Sequence, residues 1–154
     1  MRQRIDNHLL IQWFFGEFSE GETVHASPLM ARREPYSETV PQDGVVLVAG
    51  CDCQDDRIEV EIVAFGVGEE CWGIEYKTIY GAITNPATWT SLDEFLNRSW
   101  KHESGVQLRV ASAMIDTGYQ SKIVYDFCKP REVNRVFAIK GVAGVNRPVV
   151  SRPN

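Results

Sequence analysis

Two aspartates stand where apolar runs end. Asp52 interrupts VVLVAGCDC, residues 45–53, and Asp116 closes VQLRVASAMID, residues 106–116. If both runs are strands, neighbouring and parallel, the two carboxylates emerge at the carboxyl edge of one sheet, where α/β folds usually place their sites. Converging carboxylates repel unless a cation lies between them. Hard oxygen donors with room for water and phosphate suit Mg²⁺ or Mn²⁺, and a two-metal site of that kind serves phosphodiester cleavage. Lys140, before Gly141, ends a later apolar run and is placed to meet a phosphate as a compact charge. A structural reading stands beside each. Strand-end aspartates cap turns, as Asp116-Thr117-Gly118 would, and Lys140 is equally an exposed strand-end lysine. Asp55, Asp56, Glu59 and Glu61 read as solvated turn and strand-face residues.

The elements that must position these residues are legible in the hydrophobic patterning. VVLVAGCDC is nearly continuous and predicts a strand covered on both faces. In RIEVEIVAFG, Ile58, Val60, Ile62 and Ala64 alternate with Glu59 and Glu61, which predicts a half-buried strand. VGEE is a turn and CWGIEYKTIYG a third strand, joined as antiparallel hairpins. NPATWTSLDEFLNRSWKHESG predicts a helix with Trp89, Leu92, Phe95 and Leu96 at helical spacing and Gly105 as its stop. The strand ending at Asp116 follows. Then come a second helix, YQSKIVYDFC, and a fifth strand, VNRVFAIKG. The order β-β-β-α-β-α-β describes a mixed α/β sheet flanked by helices, and a right-handed crossover brings the Asp116 strand beside the first.

Residues 1–44 differ from the rest. RIDNHLLIQWFFGEF is a candidate short helix, followed by a linker or arm rich in Gly, Pro, Ser and mixed charge. Trp13, Phe14 and Phe15 are costly to expose and should dock on a surface. Residues 45–154 then form the second unit.

The totals narrow the classes. The chain has 154 residues, 44% hydrophobic and 24% charged, which is the make-up of one globular domain. A net charge of −5 argues against non-specific binding to DNA or acidic membranes, yet leaves room for an acidic nuclease site. Lys129, Arg131, Arg135, Arg147 and Arg152 make the last third locally basic, as expected beside a DNA-cutting pocket and equally on a solvated surface. No segment reads as a signal peptide or transmembrane helix, so the expected compartment is the cytoplasm and no membrane is involved. Cys51, Cys53, Cys71 and Cys128 read as reduced, small apolar side chains, since His8, His25 and His102 lie too scattered to complete a zinc cluster. There is no P-loop, dinucleotide fingerprint, G-x-S-x-G or H-E-x-x-H.

Several ordered motifs carry a more specific resemblance. Gly50, Asp52, Gln54, Arg57 and Glu59, then Phe65-Gly66, then Glu70 and Trp72 follow a Gly-x-Asp-x-Gln-x-x-Arg-x-Glu pattern and its continuation. MIDTGYQSKIVYDFC, RVFAIKGVAG and ARREPYSETVP extend the match over roughly residues 29 to 150. The sequence resembles the nuclease domain of phage terminase large subunits of the lambda-type GpA family. That resemblance implies an RNase H-like fold and a metal-dependent endonuclease that cuts concatemeric viral DNA during packaging in a bacterial host. The implied partners are double-stranded DNA, an ATPase domain and a small subunit. Asp52 and Asp116 match the family's first two metal-binding acids, and Lys140 a motif lysine. The family's ATPase motif is missing, and so is its later helix with a third acid. The expectation is therefore a chain incomplete after strand five, from a truncated prophage gene or a cut subunit, with weak metal binding and little cleavage. The alternatives are a non-catalytic prophage remnant that binds a partner through its aromatic arm, and another RNase H-like nuclease or resolvase, which the motif order disfavours.

Overall fold

A computed structural model of the chain describes residues 26–31 and 39–144. The candidate helix near Trp13, most of the arm and the segment after Gly144 lie outside those residues. Apart from one helical turn at Ser27–Met30, the body consists of β1 (Val46–Cys53), β2 (Arg57–Phe65), β3 (Cys71–Tyr80), α1 (Pro86–Leu96), β4 (Ser99–Lys101), β5 (Gln107–Asp116), α2 (Ser121–Cys128) and β6 (Val136–Ile139).

The strands form one mixed six-stranded sheet. Along it the order is β3-β2-β1-β5-β4, and β6 pairs with β5 as well. β1, β2 and β3 are antiparallel neighbours, as short hairpin connections require. β5 runs parallel to β1, with Cys51 opposite Ile115, and β6 runs parallel to the far half of β5. The near half of β5 carries β4 antiparallel on the same edge.

Both helices pack on one face. Ile58, Val60, Ile62 and Ala64 of β2 point there, as their alternation predicts, and all are fully buried. Trp89, Leu92, Phe95 and Leu96 of α1 meet them, and Val124, Phe127 and Cys128 of α2 complete the same core. The helices touch through Trp89 and Phe127, whose ring centroids lie 4.7 Å apart. Arg131 stacks over Phe127 and pairs with Asp93, joining the turn after α2 back to α1.

Two sequence expectations change. β1 is not covered on both faces by the described residues. Leu47, Ala49, Cys51 and Cys53 are buried, while Val46 and Gly50 are exposed and Val48 and Asp52 half-buried. The run looks continuous because its outer face is built of Val46, Val48 and Gly50 and turns charged only at Asp52. The helix expected as far as Gly105 ends at Leu96. Asn97 caps it, turning its backbone and side-chain N–H groups onto the Asp93 carbonyl. Ser99–Lys101 then pairs with β5, and Trp100 is buried by strand alternation rather than helical periodicity. The element order is thus β-β-β-α-β-β-α-β among the described residues.

The chain just before β1 is part of the body. Val40 is fully buried and bridges to His102, with Val40 N–H on the Lys101 carbonyl and Glu103 N–H on the Val40 carbonyl.

Candidate active site

Asp52 occupies the penultimate position of β1 and Asp116 the last of β5. Each follows directly on a residue of the Cys51–Ile115 pair in parallel register. They therefore lie side by side on adjacent strands, which run about 4.8 Å apart, and on the same face, the one away from the helices. Both are half-buried. Cys53, beneath them, registers their charge: burial pushes its thiol up to about 12, and the Asp52 and Asp116 carboxylates add to the push.

Glu59 belongs to the same edge. It stands directly across from Asp52 in the antiparallel register and in turn faces Thr78. Its side chain is 15% exposed and accepts from Arg57 Nε at 2.7 Å. Arg57 also reaches Asp56 at 2.8 Å, so one guanidinium bridges two carboxylates beside the Asp52 position. The turn expectation for Asp55 and Asp56 holds, since both sit in the β1–β2 connection. Glu61 faces the open side with Glu59, as the alternation predicts.

Each aspartate has one oxygen engaged. Asp52 Oδ2 accepts from Gln54 Nε2 at 2.9 Å. Asp116 Oδ2 accepts from the Gly118 backbone N–H at 2.9 Å, so the turn-capping geometry read from Asp116-Thr117-Gly118 is present. A Cβ at Gly118 would lie 2.7 Å from Asp116 Oδ2, so a side chain there would displace the carboxylate. Thr117 is buried and donates both its backbone N–H and its Oγ1–H to the Ile139 carbonyl. That contact pins the end of β6 beside Asp116 and brings Lys140, the next residue and an exposed one, to the same edge of the sheet.

The structure thus gathers Asp52, Asp116 and Lys140 at one edge. Among the described residues no set of three His, Cys, Asp or Glu side chains is grouped to hold a metal ion. The sequence puts Glu59 on a solvated strand face and in the family motif without a role; its opposition to Asp52 follows once the hairpin register is known. Sequence reading missed Gln54 and Tyr119 as partners of this edge. The Gln54 signal was local, two residues past Asp52, but Tyr119 reaches Asp55 across 64 positions and left no trace in spacing.

The sequence matches the model for the endonuclease domain of the terminase large subunit gpA over residues 14–154. The chain belongs to this gpA endonuclease-domain family. It is 34% identical over 134 residues to the terminase large subunit of Escherichia phage lambda, covering 86% of this chain and 21% of that protein. It is 29% identical over 138 residues to the terminase large subunit of Enterobacteria phage P21, covering 89% of this chain and 22% of that one. The chain thus spans about a fifth of the length of these two relatives. No solved structure matches. Among the described residues no helix is long and apolar enough to cross a membrane.

Proposed function

We propose that the chain carries the acidic edge of a metal-dependent endonuclease that cuts concatemeric double-stranded DNA in phage packaging, on an RNase H-like sheet. Within the longer protein it would work with an ATPase portion and a small subunit in the bacterial cytoplasm. The observation that carries this reading is the parallel β1–β5 register, which sets Asp52 and Asp116 side by side on one face. Family membership supplies the reaction class.

The donor chemistry fits the group it would hold. Two half-buried carboxylates with hard oxygens, open to solvent on one side, suit Mg²⁺ or Mn²⁺ with water completing the shell. When bound, such ions polarise a phosphodiester and lower the pKa of an attacking water. The chain's own part is to hold Asp52 and Asp116 in fixed orientation and to offer Lys140 to a phosphate oxygen. Arg57 is occupied by Asp56 and Glu59, which makes Lys140 the better placed cation for that contact.

The test is Mn²⁺ titration by calorimetry with plasmid nicking in parallel. Mn²⁺ should bind weakly, and binding should vanish in Asp52→Asn and in Asp116→Asn while the fold is kept. Nicking, weak in the wild type, should be lost in both and reduced in Lys140→Ala. Binding and nicking that survive both aspartate substitutions would refute the Asp52–Asp116 site, and a wild type that neither binds Mn²⁺ nor nicks would favour a non-catalytic binding role.

A further inference from the structure

The partners of the two acids sit on two loops, and one contact ties those loops together. Gln54, in the β1–β2 turn, donates to Asp52, and Gly118, after β5, donates to Asp116. Both donors lie two residues beyond their acid, and both take the Oδ2 oxygen. Their chain neighbours then meet: Tyr119 donates its Oη–H to Asp55 Oδ1 at 2.7 Å. The turn is braced on its other side, where the Gly81 N–H donates to the Asp56 carbonyl at 2.8 Å and Arg57 holds Asp56 and Glu59.

We infer that Gln54 and Tyr119 are positioning residues for the Asp52–Asp116 pair, Gln54 by fixing the Asp52 carboxylate and Tyr119 by clasping the two loops that follow the acid-bearing strands. The inference rests on the pair being a cation site. The terminal torsion of an aspartate is broad, so a carboxylate with no fixed oxygen samples many orientations. Engaging one oxygen leaves the second a single direction to offer. Outer partners of metal ligands act in this way, and their loss typically costs 10–100-fold in metal affinity. Asp116 has its donor in the backbone and needs no side chain for it. Asp52 has a side-chain donor, and a side-chain contact joins the loops beyond the β1–β5 pairing.

Tyr119→Phe removes one hydroxyl and Gln54→Ala one donor. The readouts are Mn²⁺ affinity by calorimetry, the melting temperature of the metal-free protein, and exchange of the Gly118 amide by NMR. Each variant should weaken Mn²⁺ binding by roughly 10-fold or more with the melting temperature unchanged. Tyr119→Phe should also speed Gly118 exchange in metal-free protein. Combining Tyr119→Phe with Asp55→Ala should weaken binding no further than either alone, because both act through one contact. Unchanged affinity in both single variants overturns the inference. A wild type that binds no Mn²⁺ refutes the cation reading instead. The clasp is then decided by Gly118 exchange, which upholds it if faster in Tyr119→Phe and overturns it if unchanged.

Discussion

Asp52 is an acid on the outer face of an otherwise apolar strand. An acid within an apolar strand is unfavourable unless its surroundings use it, and here it faces two others: Glu59 opposite and Asp116 alongside. Like charges on directly paired strands destabilise, and each pair is worth about 0.2–1 kcal/mol. Asp52→Asn should therefore raise the melting temperature of the metal-free protein slightly. Mn²⁺ binding confined to the folded wild type should raise its melting temperature and leave the variant unmoved. Thermal scans with and without Mn²⁺ check both; a variant stabilised by Mn²⁺ as much as the wild type would count against Asp52. The position of Asp52 and its possible partner Asp116 were legible from strand ends alone. Glu59 was not, because its role depends on which residue it faces, and that follows from the hairpin register.

At the scale of elements, α1 shows why its start was readable and its end was not. Asn85 accepts from the Ala87 N–H at 3.0 Å and Pro86 follows it, a start signal contained in three residues. Asn85→Ala should cost about 1 kcal/mol in chemical denaturation. The end depends on Trp100, which continues the helical spacing of Leu92 and Leu96 in the sequence but belongs to β4, paired with β5. Trp89 anchors the helix layer: it is 7% exposed, donates to the Ile83 carbonyl at 2.6 Å and packs on Phe127. Trp89→Ala should cost about 3–5 kcal/mol, the usual range for emptying a buried aromatic site. Loss of less than about 1 kcal/mol, far below that range, would mean that the helices do not meet there.

At the scale of the whole molecule, the sheet is dressed unevenly. One face holds both helices; the other presents Val46, Phe65, Tyr76, Phe137 and Ile139, each about two-fifths exposed among the described residues. The chain should bind a hydrophobic dye in its native state, and Phe65→Ser with Phe137→Ser should reduce that signal. The helix-covered face contains three of the four thiols, Cys51, Cys53 and Cys128. Burial pushes Cys53 up to about 12 and Cys128 to about 11, against an ordinary value of 9.0, and raises Cys51 further. These thiols stay protonated in the fold while the unfolded chain ionises from pH 9 upward, so unfolding is favoured as pH rises from about 9 towards 12. Denaturation midpoints should fall between pH 8 and pH 10.5, and fall less in Cys53→Ala. The sheet's parallel and antiparallel halves followed from connection lengths. The one-sided helix layer did not, because residue types in β1 mark apolar faces without saying which face the helices cover.

The central claim is that Asp52 and Asp116 share a divalent cation at the β1–β5 edge. It is tested most directly by crystals soaked in Mn²⁺ and read by anomalous scattering. A peak about 2.1–2.2 Å from one oxygen of each carboxylate, in the range of hard-cation–oxygen bonds, is the expected result. A Mn²⁺ peak elsewhere, with the space between Asp52 and Asp116 empty, would contradict it.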